Sequence, residues 1–448
     1  MGSVQSLNDR LDRSFGPHLA ALCARCARAL EVCGYSGLLV YAGSLLPVFE
    51  DDRTYPFEAN APFKVWVPLQ DAPASFVWFE PGSRPRLIVE RAQDYWYKPA
   101  DRPCGYWVRH FDVHTAPDRA AARALLPADL SRAAYIGDAF PELAGFRLGA
   151  VNPPALMRRL DYDRAAKSPY ELECLREASR LGALGHQAAV AAFSAGASEF
   201  EIELAFLGAC GLREQELPYN PIIALNGAGA ILHYQMLEKH APRERLSLLI
   251  DAGAEFQGYA SDITRTYARN GGDFAALIER MDHLQQALCA GIRAGVDWKE
   301  VQLRAHELTA QLLREADLIG CSAAQAVASG VTRVFLPHGI GHLLGLEVHD
   351  VGGLLKSPEA GEIPRPDAHP YLRLTRILEE GFVVTMEPGI YFIPQLLVAA
   401  RADARGRHIN WSRVEALSPF GGIRIEDDLA VTREGCENLT REAFRAVQ

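Results

Sequence analysis

The sequence lacks the features that direct a protein to a membrane or to a nucleic acid. No segment of its 448 residues reaches the roughly 18 uninterrupted apolar residues that a membrane span requires. No long basic run is present, and 56 acidic residues against 46 basic ones give a formal charge of −10, which argues against nucleic acid as the main partner. The first residues also lack the basic and apolar regions of a signal peptide. These absences predict a cytoplasmic protein.

Disulfides and thiolate metal sites are not expected either. The nine cysteines are odd in number and scattered through apolar helical stretches, which is typical of reduced core residues. Cys23 and Cys26 have a spacing found in metal sites, but no second pair lies nearby, and helical geometry alone places such positions on one face. The cysteines therefore indicate a reducing compartment.

The apolar pattern divides the chain into two domains. A predicted helix over residues 8–33 is followed by four short apolar segments that are predicted to be strands, at residues 37–41, 63–69, 74–79 and 85–90. This alternation predicts a small α/β domain. A polar stretch ends it, and Ser168 and Pro169 then begin a new helix as cap and first turn. We therefore expect domains over residues 1–160 and 161–448.

Two aspartates of the second domain are predicted to face one another across a hairpin. The segments on either side of Phe256 and Gln257 are predicted to be strands joined by a turn at these two residues. In that register Asp251 lies directly opposite Asp262, and opposed residues are only about 5 Å apart. Two carboxylates at that distance repel unless a cation lies between them. The alternative is a surface hairpin with two solvated acids.

Two glutamates are associated with predicted strands farther along the chain. Glu387 directly follows an apolar strand over residues 381–386, where a lone charge is costly to bury. In the strand predicted over residues 421–428, alternation places Arg424 and Glu426 on one face. The alternative for this pair is a structural ion pair on an exposed face.

Three histidines lie within twelve residues of a glycine-rich segment, at positions 338, 342 and 349. The glycines argue against a regular helix. An extended backbone would direct His338 and His342 to the same side, so that one binds a metal and the other is a neighbouring donor or acid. The alternative for a single buried histidine is a satisfied core residue.

The predicted ligands favour a site for two divalent cations. They are Asp251, Asp262, His342, Glu387 and Glu426. Their four carboxylates carry four negative charges, which two divalent cations neutralise. A set dominated by oxygen with one imidazole suits manganese best, and cobalt, iron and zinc are the alternatives. Two such ions, typically about 3.5–4 Å apart, share a hydroxide that attacks an acyl carbon. The pattern predicts hydrolysis without a covalent intermediate.

The segments that carry these ligands are Ile250-Asp-Ala-Gly253, Ser261-Asp262, Pro337-His-Gly-Ile-Gly-His342, Thr385-Met-Glu-Pro-Gly389 and Ile423-Arg-Ile-Glu-Asp427. They resemble the pita-bread metallopeptidases, and within them the bacterial prolidases, which cleave dipeptides with proline at the carboxyl end. All five ligands match in order, and the likeness covers nearly the whole chain, including Tyr55-Pro-Phe57, Phe63-Lys-Val-Trp-Val67, Tyr219-Asn-Pro221, Ile231-Leu-His233, Leu372-Arg-Leu-Thr-Arg376 and Gly389-Ile-Tyr-Phe392.

The resemblance implies a fold and a role for each ligand. It implies a small α/β N-terminal domain and an α+β pita-bread catalytic domain, whose two pseudo-symmetric halves pack helices over a curved antiparallel sheet. It implies that Asp251 binds one metal, that Asp262 and Glu426 bridge both, and that His342 and Glu387 complete the second. Glu387 would also carry a proton from water to the leaving proline nitrogen, which has none of its own.

The resemblance also implies how the substrate is bound. Arg373 and Arg424 would bind its carboxylate, because a guanidinium fork matches that group. His338 and His349 would stabilise the oxyanion or the substrate amine. The other residues implied to line this pocket are His233 and Tyr219.

A loop of the N-terminal domain is implied to act on a second copy of the chain. Residues 48–57 match a family segment that reaches into the neighbouring subunit's pocket, so a homodimer is expected. Asp51 or Asp52 would meet the substrate ammonium group there, and the alternative is an ordinary solvated loop. The preceding turn, Tyr41-Ala-Gly-Ser44, departs from the His-Ser-Gly turn of bacterial prolidases, which leaves recognition of the amino end open.

Other functions share these features. An aminopeptidase for longer peptides with proline second would use the same five ligands. A phosphotriesterase-like activity could accompany the same hydroxide, since organophosphorus acid anhydrolase belongs to this family. A pita-bread domain that has lost its metals and binds partners is the alternative that is not an enzyme.

Overall fold

The computed structural model describes residues 2–92, 95–96 and 98–448. The chain forms two compact units, of which the first consists of Met1–Cys174 with Ser357–Gly361 and the second of Leu175–Lys356 with Glu362–Gln448. Among the described helices, none is long and apolar enough to cross a membrane. All nine cysteines fall within the described ranges and are unpaired.

The first unit is built around a mixed sheet. Its strands are β1 (Gly37–Tyr41), β2 (Phe76–Phe79), β3 (Arg86–Glu90), β4 (Asp112–Ala116), β5 (Ala133–Ile136) and β6 (Ala150–Val151). Their spatial order is β4-β3-β2-β1-β5-β6. β2 is antiparallel to both neighbours, and the other adjacent pairs are parallel. Because β1, β2 and β5 are buried along their whole length, they are continuous apolar runs. The prediction of a small α/β domain is confirmed.

The sequence predicted only the first of the four helices described in this unit. They are α1 (Gly2–Cys33), α2 (Ala61–Lys64), α3 (Arg119–Ala124) and α4 (Pro154–Arg164). The strand predicted over residues 63–69 is wrong, because its first residues belong to α2. Pro62 favours a helical first turn there. A short buried apolar run such as this one does not by itself distinguish helix from strand.

Tyr41 is a core residue of the first unit. It is 0% exposed, and its ring stacks on Phe76 with 4.9 Å between centroids. Its hydroxyl bonds to Ser44 Oγ at 2.5 Å and accepts an N–H from Arg119 at 3.1 Å. The departure of this turn from the prolidase pattern therefore supplies packing and a hydrogen bond within the turn.

The second unit contains short antiparallel sheets. Its strands are β7 (Ile222–Leu225), β8 (Ser247–Asp251), β9 (Glu255–Phe256), β10 (Tyr259–Ala260), β11 (Thr264–Ala268), β12 (Val383–Met386), β13 (Gly389–Tyr391), β14 (Gly422–Arg424), β15 (Asp427–Val431) and β16 (Cys436–Asn438). The described sheets have the orders β11-β8-β7, β12-β15-β16, β13-β14 and β10-β9. A single bridge between Thr264 and Glu426 joins β11 to the segment between β14 and β15. This bridge places Glu426 beside Thr264, the first residue of β11.

Helices surround these sheets. They are α5 (Pro169–Ala195), α6 (Glu199–Cys210), α7 (Asp273–Cys289), α8 (Trp298–Glu315), α9 (Ala323–Ala328), α10 (Thr332–Phe335), α11 (Pro394–Arg401), α12 (Trp411–Leu417) and α13 (Leu439–Val447). The predicted start of α5 is confirmed, since Ser168 Oγ accepts the N–H of Glu171 and the Glu171 carboxylate accepts the N–H of Ser168.

The predicted hairpin register is wrong by two residues. Asp251 pairs with Thr264 and not with Asp262. The turn lies at Gln257 and Gly258, whose φ angles of 54° and 89° are both positive, as a type I′ turn requires. Because side chains alternate with a period of two, a slip of two residues leaves each of them on its expected side.

The strand predicted over residues 421–428 is interrupted. β14 ends at Arg424 and β15 begins at Asp427, so Glu426 lies in the break. The Glu426 N–H donates to the Thr264 carbonyl at 3.0 Å. The Thr264 hydroxyl contacts both the Arg424 guanidinium and the Glu426 carboxylate, so these two side chains share a side as predicted.

Candidate metal centre

A cavity of about 780 Å³ in the second unit brings together most of the predicted site residues. The predicted residues that line it are Asp251, Asp262, His342, Glu387, Glu426, Tyr219, His233, His338, His349, Arg373 and Arg424. They come from segments that are spread over residues 219–426 of the sequence. The fold therefore assembles the constellation that the motifs predicted.

Each of the four acids lies at or next to the end of a strand. Asp251 is the last residue of β8, and Asp262 lies just before β11. Glu387 follows β12 directly, and its N–H donates to the Ile340 carbonyl at 3.0 Å. Glu426 lies in the break between β14 and β15. At these positions the sheet holds the backbone in place, and the side chain extends into the cavity.

Three side chains are close enough together to hold one cation. Ligand atoms of Asp262, His342 and Glu426 lie within 4.8 Å of one another, and all three residues are buried. His342 Nε2 is 3.4 Å from Asp262 Oδ2 and 3.8 Å from Glu387 Oε1. The other ring nitrogen donates to the Leu343 carbonyl at 3.0 Å, which directs the Nε2 lone pair toward the acids when the ring is neutral.

The acids strongly perturb one another. Burial raises the pKa of Glu387 to about 7; His342 and Arg424 oppose this rise, and Asp262 and Asp251 add to it. Burial and the neighbouring carboxylates raise the pKa of Glu426 well above its ordinary value. Such like charges are costly to bury together unless a cation compensates them.

For His342 and Asp262 the pKa shifts favour the charged forms, in contrast to Glu387 and Glu426. Burial opposes the charged form of both, yet the contact with His342 lowers the pKa of Asp262, and the same contact raises the pKa of His342. The buried acid and the imidazole thus stabilise each other's charged forms. This donor set of carboxylates and one imidazole fits divalent manganese, cobalt, iron or zinc.

Arg424 holds Asp251 in place. Its Nη2 donates to Asp251 Oδ2 at 2.6 Å, and its Nε donates to the Thr264 hydroxyl at 3.1 Å. Tyr219 donates to the other oxygen of Asp251 at 2.8 Å. Burial raises the pKa of Asp251, whereas Arg424 counteracts it. The positions of Arg424 and Tyr219, which were predicted to bind substrate, fit orientation of Asp251 as well.

The hydroxyls of Thr264 and Tyr391 were not predicted as part of the site. Thr264 donates to Glu426 Oε2 at 2.6 Å, and Tyr391 accepts an N–H from Arg424 Nη1 at 2.9 Å. Thr264 was hidden by the register error, because it occupies the position opposite Asp251. Tyr391 lies in the motif Gly389-Ile-Tyr-Phe392. Its position three residues after Glu387-Pro388 is the sequence feature that could have predicted its place in the site.

His338 is held as a neutral ring. Its Nδ1 donates to the Gly339 carbonyl at 2.8 Å, so Nε2 accepts the hydroxyl hydrogen of Tyr391 at 2.9 Å. Burial, with Arg424 nearby, lowers the pKa of His338 to about 4. Both ring nitrogens are therefore engaged with the protein, and Nδ1 also lies 3.6 Å from Glu387 Oε2.

Two further buried residues position the ligand segments. Gln302 on α8 accepts the N–H of Ile340 at 2.7 Å and donates to the His338 carbonyl at 3.3 Å. Asp428 accepts the N–H of Asp262 at 3.1 Å. Neither was predicted, because contacts of side chains with backbone more than thirty residues away leave no local pattern.

His233, His349 and Arg373 line the open part of the cavity and are exposed. The His349 ring lies edge-on to His342 with 4.5 Å between centroids. Burial and His342 lower the pKa of His349 to about 4. Within the part of the chain that the structure describes, the Arg373 guanidinium has no hydrogen bond or ion pair, so it is available to an anionic group.

Asp51 belongs to the first unit, whereas the other predicted site residues belong to the second. Its carboxylate accepts the N–H of Arg53 at 3.2 Å and lies 3.6 Å from that guanidinium. It does not line the cavity of its own chain. Its predicted role belongs to the pocket of a neighbouring copy and stays a prediction.

Comparison with known proteins identifies the family. Residues 173–433 match the model of metallopeptidase family M24, and residues 13–162 match the model of the Xaa-Pro dipeptidase N-terminal domain. The chain is 47% identical over 433 residues to a Xaa-Pro dipeptidase of Stenotrophomonas maltophilia (strain K279a), covering 96% of this chain and 97% of that one. It is also 47% identical over 436 residues to a Xaa-Pro dipeptidase of Xanthomonas campestris pv. campestris (strain B100), covering 96% and 98%.

Solved structures support the same fold. Aminopeptidase PepP of Pseudomonas aeruginosa superposes with a TM-score of 0.70 at 23% identity, covering 95% of this chain and 98% of that one. Aminopeptidase P from E. coli with the inhibitor Pro-Leu gives a TM-score of 0.69 at 21% identity, covering 96% and 95%. The predicted fold class and the resemblance to bacterial prolidases are confirmed. The chain belongs to metallopeptidase family M24.

Proposed function

We propose that this protein hydrolyses Xaa-Pro dipeptides with two divalent cations. The observation that carries the proposal is the convergence of all five predicted ligands on one cavity, three of them within 4.8 Å. The near-complete coverage of relatives named Xaa-Pro dipeptidase supports the substrate class. The likeness to aminopeptidase P is a likeness of fold and does not favour longer peptides.

The residues present fit two cations. Asp251 would hold one ion, Asp262 and Glu426 would contact both, and His342 with Glu387 would complete the second. Manganese is our first choice, with cobalt, iron and zinc as alternatives, because hard oxygen donors dominate the set. Two divalent cations held by these residues would activate a water for attack at neutral pH and polarise the scissile carbonyl.

Glu387 is the proton carrier in this proposal. Its side chain is 18% exposed at the cavity wall, and a carboxylate in such a position can take and return a proton. Glu387 would accept a proton from the attacking water and deliver it to the proline nitrogen as the bond breaks. That nitrogen needs an external proton because the imide carries none.

Arg373 is the group best suited to bind the substrate carboxylate. It lines the cavity with a guanidinium that is free of partners within the described ranges. Arg424 would assist from deeper in the cavity, since a guanidinium has five N–H donors and its bonds to Asp251, Thr264 and Tyr391 leave others. A carboxylate requirement of this kind favours dipeptides, because a longer peptide presents a neutral amide there.

The remaining pocket residues complete the proposed recognition. His349 and His233 would contact the substrate amine or carbonyl from the open side. His338 would steady the oxyanion only if it gave up one of its present bonds to Gly339 and Tyr391. Tyr219 would contact the substrate from its bond to Asp251.

We also propose a homodimer in which the first-unit loop with Asp51 completes the neighbouring site. Exposed apolar and aromatic side chains in and just before this loop support an interface, because Leu46, Phe49 and Tyr55 are 63%, 85% and 56% exposed. Sedimentation of the purified chain tests this proposal, and a monomer at micromolar concentration contradicts it. A cytoplasmic location, which rests on composition, and a side activity on organophosphates, which rests on the resemblance, are further predictions.

The substrate class is tested by comparing Leu-Pro with Leu-Pro-Gly as substrates of the metal-loaded protein. We expect a higher kcat/KM for the dipeptide and loss of activity on chelation. Preferred turnover of the tripeptide would favour an aminopeptidase. A protein that bound no metal and cleaved neither peptide would instead favour a binding domain.

A further inference from the structure

The segment between β7 and β8 carries substrate-facing residues without regular structure. Residues 226–246 contain a short 3-10 turn, Asn226–Ala230, and otherwise form bends and loops. Leu232, His233 and Gln235 of this segment line the metal cavity. Contacts other than those of a sheet or helix must therefore hold the backbone of these three residues in position.

One buried carboxylate forms hydrogen bonds with this segment. Glu199, the first residue of α6, is 2% exposed. Its Oε1 accepts the N–H of Leu225 at 2.8 Å, at the end of β7. Its Oε2 accepts the hydroxyl of Tyr234 at 2.7 Å and the N–H of Glu238 at 2.8 Å. The carboxylate thus links the end of β7 to Tyr234 and Glu238, and the cavity residues lie in the stretch of chain between Leu225 and Glu238.

The side chains of this segment that face the cavity are not held in place by hydrogen bonds of their own. Neither His233 nor Gln235 has a hydrogen bond among the residues that the structure describes, and both are exposed. Tyr234, between them in sequence, points the other way and is bonded to Glu199. The neighbouring Phe200 N–H also donates to the Glu238 carbonyl at 3.2 Å. The first turn of α6 is therefore the anchor of the loop.

We propose that Glu199 is a positioning residue that sets the affinity for substrate through this loop, without acting on the metals. This inference rests on the proposed function of the cavity. A carboxylate is required because it offers only acceptors to three donors, whereas a glutamine side chain presents one oxygen and an amide that is itself a donor. With glutamine, a buried N–H or hydroxyl loses its partner, and such losses destabilise the local conformation.

The test compares Glu199→Gln with Glu201→Gln. Glu201 lies in the same first turn of α6, is exposed, and bonds to Ser198 as part of the helix cap, so it controls for charge and helix stability. Tyr234→Phe is a second variant that removes one donor and leaves the carboxylate and both N–H groups. All three are measured as metal-loaded full-length protein with Leu-Pro as substrate.

We expect Glu199→Gln to raise KM at least about tenfold with a smaller change in kcat and unchanged bound metal, since a lost hydrogen bond to a charged group costs about that factor. Amide exchange over residues 226–240 should become faster in this variant. Tyr234→Phe should show a smaller shift in the same direction, and Glu201→Gln should resemble the wild type.

Unchanged exchange over residues 226–240 in both Glu199→Gln and Tyr234→Phe would overturn the inference, as would a KM shift equal to that of Glu201→Gln. If Glu199→Gln does not fold, Tyr234→Phe alone decides. Failure of the wild type to cleave Leu-Pro would instead contradict the proposed function, and the exchange measurement would still test the anchoring of the loop.

Discussion

Arg424 Nη2 donates to Asp251 Oδ2 at 2.6 Å, and both residues are buried in the wall of the cavity. This ion pair holds the Asp251 carboxylate, one of the proposed metal ligands, in a fixed orientation. The same guanidinium reaches the Thr264 hydroxyl, which bonds Glu426. Two of the proposed metal ligands therefore depend on one arginine.

Arg424→Ala should weaken metal binding as well as catalysis. Removing the guanidinium leaves the buried Asp251 carboxylate with one fewer donor, a change that costs several kcal/mol when a buried ion pair is broken. We expect lower metal affinity and a loss of kcat/KM that is larger for Leu-Pro than for Leu-Pro amide. Equal losses on both peptides would mean that Arg424 only supports Asp251 and does not bind the substrate carboxylate.

Arg373→Ala should affect the substrate carboxylate alone. Because Arg373 has no partner among the described residues, its removal leaves the centre intact. We expect KM for Leu-Pro to rise about ten- to a hundredfold, the value of a hydrogen bond between charged groups. Leu-Pro amide, which lacks the carboxylate, serves as the control. A similar rise for the amide would contradict this role.

Glu387→Gln should preserve the fold and remove most turnover. The substitution keeps the shape of the side chain but ends its ability to take a proton, and general acid–base catalysis contributes roughly 100- to 10,000-fold. The measurement is kcat at saturating metal, with thermal unfolding as a check of the fold. Turnover close to that of the wild type in a fully metal-loaded variant would exclude Glu387 as proton carrier.

The metal-free protein should lose stability as the pH rises from about 4.5 to about 7. In the folded state the pKa of Glu387 is raised from 4.5 to about 7, so over this range the folded state binds a proton that the unfolded state has lost. Stability then falls with pH, by about 3 kcal/mol for this group in order of magnitude. Denaturant unfolding of chelator-treated protein measures it, and Glu387→Gln should flatten the curve. A rise of stability over the same range would contradict the account.

The proposed ligands could be predicted from the sequence because each lies in a local pattern. Glu387 ends an apolar strand, and Glu426 alternates with Arg424, so their positions follow from short segments. The register of Asp251 was missed because the turn depends on two residues with positive φ, Gln257 and Gly258, of which only the glycine signals this locally. The error of two residues kept Asp262 on the correct side.

The supporting residues could not be found in this way. Glu199, Gln302 and Tyr391 act on groups that are distant in sequence or hidden by burial, and their hydrogen bonds exist only after the fold has formed. The helix at Ala61–Lys64 was missed because a short apolar run packs equally well in either conformation. Sequence patterns thus predicted the proposed metal ligands. The residues whose hydrogen bonds support the site became visible only in the structure.

Titration of metal-depleted protein with manganese, while proline release from Leu-Pro is followed, tests the central claim most directly. Two cations shared by one ligand set predict that activity is absent without metal and reaches its plateau at about two equivalents per chain. A plateau at one equivalent would contradict the two-cation centre. Metal binding without any release of proline would contradict the proposed hydrolysis of Xaa-Pro dipeptides.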